Sequence, residues 1–265
     1  MKIGVFDSGI GGITVLDELV RRFPREQYVY LGDTARVPYG TKSTAQVQSF
    51  TVECAQTLAT QQIDVLVVAC NTASSSSLPG IRQALPSLPV FGVVEPGVDA
   101  CWAAWNQKRV TATTKPPILI LGTRGTIRSG IYGRLLRERF TANKTDLPEI
   151  LEQACPLLVP MIEENWMAHR ILRETVQEYL KPYRGLEPGI AHLACTHYPW
   201  IQSVFESELP GWTVINSACT VADSLAAQQP LSSQPLSTGE RSQVEWIFTD
   251  PDAIPEFAKA AFGSP

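Results

Sequence analysis

Short apolar runs alternate with longer amphipathic stretches along nearly the whole chain. The runs at 3–6, 28–31, 65–69, 90–94, 118–121, 191–194, 213–215 and 246–248 predict strands. The stretches at 12–23, 44–61, 97–107, 127–140, 168–181, 199–208, 218–228 and 252–262 carry apolar residues at helical spacing. Such alternation predicts an α/β fold of mostly parallel sheets with helices on both faces. The runs at 65–69 and 118–121 are apolar throughout, as central strands are. Two polar stretches, 105–117 (WNQKRVTATTKPP) and 229–243 (QPLSSQPLSTGERSQ), predict surface connections.

Within this alternation lies an internal echo. IGVFDSGIGG and LILGTRGTIRSG each run from an apolar strand into a loop of glycine and hydroxyl residues, then into a helix. Each is followed, at a comparable separation, by a strand ending in Ala-Cys: DVLVVACNTASS and IAHLACTHYPWI. The echo predicts two similar halves whose loops and cysteines sit at the carboxyl ends of strands, where open α/β sheets bind ligands. Facing each other, the halves would bring Cys70 and Cys195 to one cleft.

Composition narrows the function classes. At 265 residues with 44% hydrophobic and 18% charged residues, the chain suits one large or two ordinary soluble domains. The net charge of −4, with no clustered basic face, argues against nucleic acid or an anionic membrane as partner. No apolar stretch approaches a membrane span, and the first residues lack a signal peptide's apolar centre. A cytoplasmic location with reduced cysteines is expected. The six cysteines show neither C-x-x-C pairing nor zinc-finger spacing, so no metal site is expected. Cys54, on a stripe with Val47, Phe50 and Leu58, reads as a core residue, and Cys101 and Cys219 read the same way.

Cys70 and Cys195 differ because polar donors follow them. A cysteine between a strand end and a helix start lies near free N–H groups and the positive end of the helix dipole, which predicts a thiolate. The plain alternative is a buried core thiol. One reactive thiol suggests nucleophilic catalysis. Two opposed thiols suggest removal of a proton from one face of a carbon and its return to the other, which needs no electron-sink cofactor. DSGIGG, at 7–12, offers backbone donors to an anion, and Asp7 adds a carboxylate. It is not a dinucleotide fingerprint, since Thr14 stands where the third glycine would fall, and GTRGTIRSG lacks the Gly-Lys-Ser/Thr of a P-loop. GDTARVPYGTKS is a long loop of the kind that lines sites, or an ordinary connection. His197 is a partner of Cys195 or a polar loop residue, whereas His169 and His192 read as surface helix and core strand.

Together DSGIGG, GD…PYG, ACNTAS and CTHYP resemble the glutamate racemases of the aspartate/glutamate racemase superfamily, and the resemblance runs the length of the chain. It implies two α/β domains with the active site between them: residues 1–96 plus 210–265, and 97–209. It implies cofactor-independent interconversion of L- and D-glutamate, supply of D-glutamate for peptidoglycan, and a homodimer. It implies Cys70 and Cys195 as the catalytic thiols, with Asp7 and His197 as their charged partners and Asp33 and Glu163 in an indirect electrostatic role. Substrate contacts are implied at Asp7, Ser8, Tyr39, Gly40, Asn71, Thr72, Thr196 and His197, with Thr123 and Thr126 as further contacts to a carboxylate. Asn216 departs from the aspartate expected there, which touches only local packing. The rivals are an aspartate or hydantoin racemase, a Cys-His-Asp hydrolase built on one thiol, and a binding module with inert thiols. A pyridoxal-phosphate enzyme would need a loop lysine, and only Lys42 qualifies.

Overall fold

The computed structural model describes residues 1–110, 115–236 and 242–259. Its strands, in chain order, are β1 (Lys2–Asp7), β2 (Gln27–Gly32), β3 (Val65–Val68), β4 (Val90–Gly92), β5 (Ile118–Gly122), β6 (Ile150–Ala154), β7 (Ile190–Ala194), β8 (Thr213–Asn216) and β9 (Gln243–Phe248). They form a five-stranded sheet, β4-β3-β1-β2-β9, and a four-stranded sheet, β6-β5-β7-β8, with parallel pairing throughout. The helices of the first half are α1 (Ile13–Arg22), α2 (Thr44–Ala59), α3 (Asn71–Ser74), α4 (Leu78–Ala84) and α5 (Val94–Lys108). Those that follow are α6 (Arg124–Ser129), α7 (Ile131–Ala142), α8 (Leu158–Glu163), α9 (Arg170–Leu180), α10 (Gln202–Glu208), α11 (Ser217–Gln228) and α12 (Glu256–Lys259).

Each sheet is apolar on both faces, because successive strand residues point to opposite sides. Ile3 and Val5 of β1 enter one core with α1 and α11, while Phe6 enters another with α2 and α4. In β5, Leu119 and Leu121 pack towards α8 and α9, and Ile118 and Ile120 towards α5 and α7. The uninterrupted runs are interior strands, as their composition predicts: β3 lies between β4 and β1, and β5 between β6 and β7. No helix among the described residues is long and apolar enough to cross a membrane.

The structure departs from the sequence pattern in several places. β6 was not predicted, because Glu152 and Gln153 interrupt its apolar character at a half-buried sheet edge. α3, α4 and α8 are too short to show a helical period. The single helix expected at 127–140 is two, α6 and α7, separated by Gly130 at φ +62°. Trp105, which falls in both the helix expected at 97–107 and the connection expected at 105–117, is buried in the last turns of α5, where its indole donates to the Pro116 carbonyl at 2.7 Å and meets Phe140 edge-on. Cys54 and Cys101 are buried as expected, but Cys219 is only half-buried. The domain boundary expected at 210 also moves. β8 pairs with β7 in the second sheet, and the chain returns towards the first through α11, which packs on both α1 and α5. β9 then completes the first sheet beside β2. Residues 111–114 and 237–241 of the two predicted connections, and 260–262 of the last predicted helix, lie outside the described residues.

Replacing Trp105 with alanine removes this aromatic anchor and strands the Pro116 carbonyl. A loss of about 3–5 kcal/mol is expected, read as an earlier thermal unfolding transition with an unchanged far-ultraviolet spectrum below it.

Candidate active site

Parallel pairing delivers the two cysteines to equivalent places. β3 lies beside β1 and β7 beside β5, so each cysteine emerges next to the loop of glycine and hydroxyl residues that its neighbouring strand carries. Cys70 caps α3 with extended backbone; its sulfur accepts from the Ala73 N–H at 3.5 Å and donates to Ser8 Oγ at 3.4 Å. Cys195 follows β7 directly and leads into a 3₁₀ turn, Tyr198–Ile201, with Pro199 near its start. Both thiols are buried and both line one cleft between the sheet ends, of about 320 Å³ counted with the solvent at its mouth.

Asp7 and His197 sit beside this cleft out of water, with Glu163 half-buried next to His197. Burial raises the Asp7 carboxyl above its ordinary range, opposed by the charge of His197, the N–H groups of Gly9 and Gly12, and the Thr196 hydroxyl. The Gly9 N–H reaches Asp7 Oδ2 at 2.9 Å, and Thr196 Oγ1 donates to Oδ1 at 3.2 Å. Burial would lower His197, but its hydrogen bond to Cys195 and the Glu163 carboxylate outweigh that, leaving it up at about 10. Its Nε2 stands 3.0 Å from Glu163 Oε1. His197 is therefore an imidazolium at neutral pH. The first loop approaches so closely that a Cβ on Gly11 would stand 2.3 Å from His197 Nδ1 and 2.4 Å from Thr196 Oγ1. Only glycine fits there.

The expected thiolate at Cys70 is corrected. Burial, and then the negative charge of Asp7, push its thiol up to about 12, against smaller lowering contributions from Ser8 and Ala73. The reason is geometric: α3 spans four residues, and of its N–H groups only that of Ala73 reaches the sulfur. A dipole that short cannot offset the loss of water. The two thiols are thus unequal, Cys70 protonated and Cys195 hydrogen-bonded to a cation.

The remaining candidates divide by what their side chains already hold. Ser8, Tyr39, Gly40, Asn71, Thr72, Thr123, Thr196 and His197 line the cleft, together with Val37, Pro38 and Val159, which the sequence reading did not single out. Thr72 of the first half meets Thr123 at 2.8 Å and Thr126 at 3.3 Å, a hydroxyl cluster across the seam. Thr126 is buried behind Thr123 and does not line the cleft. Asp33 lies outside the lining too, with donors from Arg36, Tyr39 and Thr249 filling its carboxylate, so it holds the turn that presents Tyr39 and Gly40. Glu163 meets the cleft through His197. The side chain of Asn71 is occupied by Tyr132, which donates to its Oδ1 at 2.6 Å, and by Ser217 Oγ at 3.1 Å. Behind Tyr132 stands His192, held neutral by burial with its pKa lowered to about 4. Nothing in an apolar strand such as IAHLA marks that buried string of polar groups in advance. Asn216 caps α11 through the N–H groups of Ala218 and Cys219, a local role as expected. Among the described residues no three His, Cys, Asp or Glu side chains are grouped to hold a metal ion.

Two parallel sheets flanked by helices, whose carboxyl ends bring two buried thiols to one cleft, define an α/β protein with its site between two halves. Residues 3–225 match the family model for Asp/Glu/Hydantoin racemase. The chain is 40% identical over 225 residues to the glutamate racemase of Aquifex aeolicus, covering 85% of this chain and 82% of that one. It is 37% identical to the glutamate racemase of Neisseria gonorrhoeae over 91% of this chain and 84% of the other. Among solved structures, glutamate racemase from Campylobacter jejuni superposes with a TM-score of 0.82 at 30% identity, over 98% and 97% of the two chains. That of Francisella tularensis, in complex with D-glutamate, gives 0.82 at 28% identity over 99% and 94%. The chain belongs to the Asp/Glu/Hydantoin racemase family.

The inequality of the thiols can be measured. In a titration of thiolate ultraviolet absorbance, the step lost in Cys70→Ser is expected well above the ordinary thiol value of about 8.5, towards about 12. A Cys70-dependent step below the ordinary value would contradict the geometry described.

Proposed function

We propose that the chain is a glutamate racemase working by two-base proton exchange between Cys70 and Cys195, and that it supplies D-glutamate for peptidoglycan. The observation that carries the reading is the unequal pair of thiols on one cleft, one beside an imidazolium and the other kept neutral. Glutamate as substrate is supported by the relatives from Aquifex and Neisseria and by the Francisella complex with D-glutamate.

In one direction the Cys195 sulfur, stabilised as thiolate by His197, takes the Cα proton. The electron pair left on carbon is delocalised into the α-carboxylate. The Cys70 thiol delivers its proton to the opposite face, so Cys195 ends as thiol and Cys70 as thiolate. The reverse direction exchanges the roles. Charge developing on the carboxylate requires donors that do not have to reorganise. The hydroxyl pair of Thr72 and Thr123 and the backbone N–H groups of the two short helical starts supply them, while the Thr196 hydroxyl is held by Asp7. Asn71 contributes through its main chain, since its side chain is engaged elsewhere. A hydrolase triad is disfavoured, because His197 is already protonated and paired with Glu163, and Asp7 is satisfied by Gly9 and Thr196 instead of orienting the ring as in a triad.

Three outcomes follow. Racemisation of L-glutamate in D₂O should place deuterium at Cα of the D-product, with little in the unreacted L-pool at early times; unlabelled product ends the proposal. Cys70→Ser and Cys195→Ser should each lower racemisation at least about 100-fold, whereas a one-thiol hydrolase would tolerate loss of one of the two. Activity that depends on the His197 imidazolium is present below its folded pKa and should fall as pH rises through about 10, and His197→Asn should remove that limb of the profile.

A further inference from the structure

A second cavity adjoins the catalytic cleft, with Thr72 in the wall between them. Counted with the solvent at its mouth it measures about 640 Å³, twice the cleft itself. Both halves build it: Lys42, Thr44, Ser75 and Ser76 come from one side, Gly125, Arg128 and Ser129 from the other. Its walls contain two cations and no acid, and neither Lys42 nor Arg128 has an ion-pair partner among the described residues. Arg128 Nη2 donates to the Lys42 carbonyl at 3.0 Å, which fixes the guanidinium at the seam and leaves its other donors uncommitted.

The cleft has the opposite character. No lysine or arginine lines it, and its one cation, His197, is engaged by Cys195 and Glu163. A dicarboxylate with one ammonium group carries net negative charge and would approach a cleft with no lysine or arginine in its lining and with the carboxylates of Asp7 and Glu163 behind Thr196 and His197. Something must draw it in. We infer that the cavity walled by Lys42 and Arg128 is a vestibule that gathers dicarboxylates through one carboxylate and hands them past Thr72 into the cleft. The inference rests on the racemase reading. A cleft bordered by charge of one sign raises the local concentration of oppositely charged ligand, and salt screens the effect. Glycine at 125 lets α6 lie close against the shared wall: a Cβ there would stand 2.8 Å from Thr72 Cγ2.

The test compares wild type with Lys42→Gln, Lys42→Arg and Arg128→Lys at low and high ionic strength. Lys42→Gln should raise KM for glutamate roughly 3–10-fold at low salt, with kcat within about twofold, and the gap should close at high salt. Lys42→Arg should restore the wild-type KM. Arg128→Lys keeps the charge but alters the hydrogen bond to the Lys42 carbonyl, so a salt-dependent KM retained there assigns the effect to charge. Calorimetric binding of glutarate at low salt provides a readout independent of turnover, and wild type should bind more tightly than Lys42→Gln. Equal glutarate affinity with an unchanged salt dependence of KM overturns the vestibule, as does a lowered kcat with KM unaltered. If wild type fails to racemise glutamate while glutarate binding still depends on Lys42, the function reading fails and the vestibule stands.

Discussion

An imidazolium and two carboxylates held between the ends of two sheets constrain everything near the cleft. A buried ion without partners neutralises itself or unfolds its surroundings, so each of these charges must be met from several elements. His197, just after β7, is met by Glu163 at the end of α8 and by Cys195. Asp7, at the end of β1, is met by its own loop and by Thr196 from the opposite sheet. Thr14 of α1 in turn donates to the Thr196 carbonyl at 2.9 Å. The charges therefore fix where the loops of the two halves stand, and Gly11 follows from them, since any side chain there would occupy the place of the imidazole.

The same charges make the thiols unequal. Asp7 adds to the cost of ionising Cys70, whereas His197 places positive charge against Cys195. Charge on Cys195 itself raises Cys70, the ordinary penalty for like charges sharing a site. Two thiolates would repel and leave no acid; two thiols would leave no base. One of each is the arrangement that proton exchange through a carbon requires; burial and Asp7 hold Cys70 as the thiol, and His197 places its positive charge against Cys195. Motif position alone predicts a thiolate at both, because it counts the helix dipole and cannot count desolvation.

What the chain discloses in advance is set by how local the cause is. Interior strands such as β3 and β5 are legible because burial on both faces demands an unbroken apolar run. The echo between the two Gly/hydroxyl loops is legible for the same reason, and parallel pairing does put each cysteine strand beside its loop strand. β6 is not, because an edge strand can carry Glu152 and Gln153 at little cost. β8 is legible as a strand but not as a member of the second sheet, since sheet membership is decided by pairing with β7 far away in sequence. Within the site, Cys70, Cys195 and His197 announce themselves by breaking an apolar pattern with polar residues. The commitments of Asn71 to Tyr132 and Ser217, and of Asp33 to Arg36, Tyr39 and Thr249, depend on long-range packing and have no sequence signal.

The seam between the halves differs in kind from the cores on either side. Each of the four apolar clusters belongs to one sheet face, and among the described residues Trp200 and Phe257 touch a cluster of both sheets. Across the cleft the contacts are short and polar: Thr72 with Thr123 and Thr126, Thr196 with Asp7 and Thr14, Arg128 with the Lys42 carbonyl. A neutral hydrogen bond such as that between Thr72 and Thr123 contributes a net of only about 1 kcal/mol, and one to a charged group such as Asp7 about 1.5–3 kcal/mol. The two sheets are thus each held by their own apolar cores, while polar contacts line the cleft between them and α11, Trp200 and Phe257 carry the apolar packing from one half to the other.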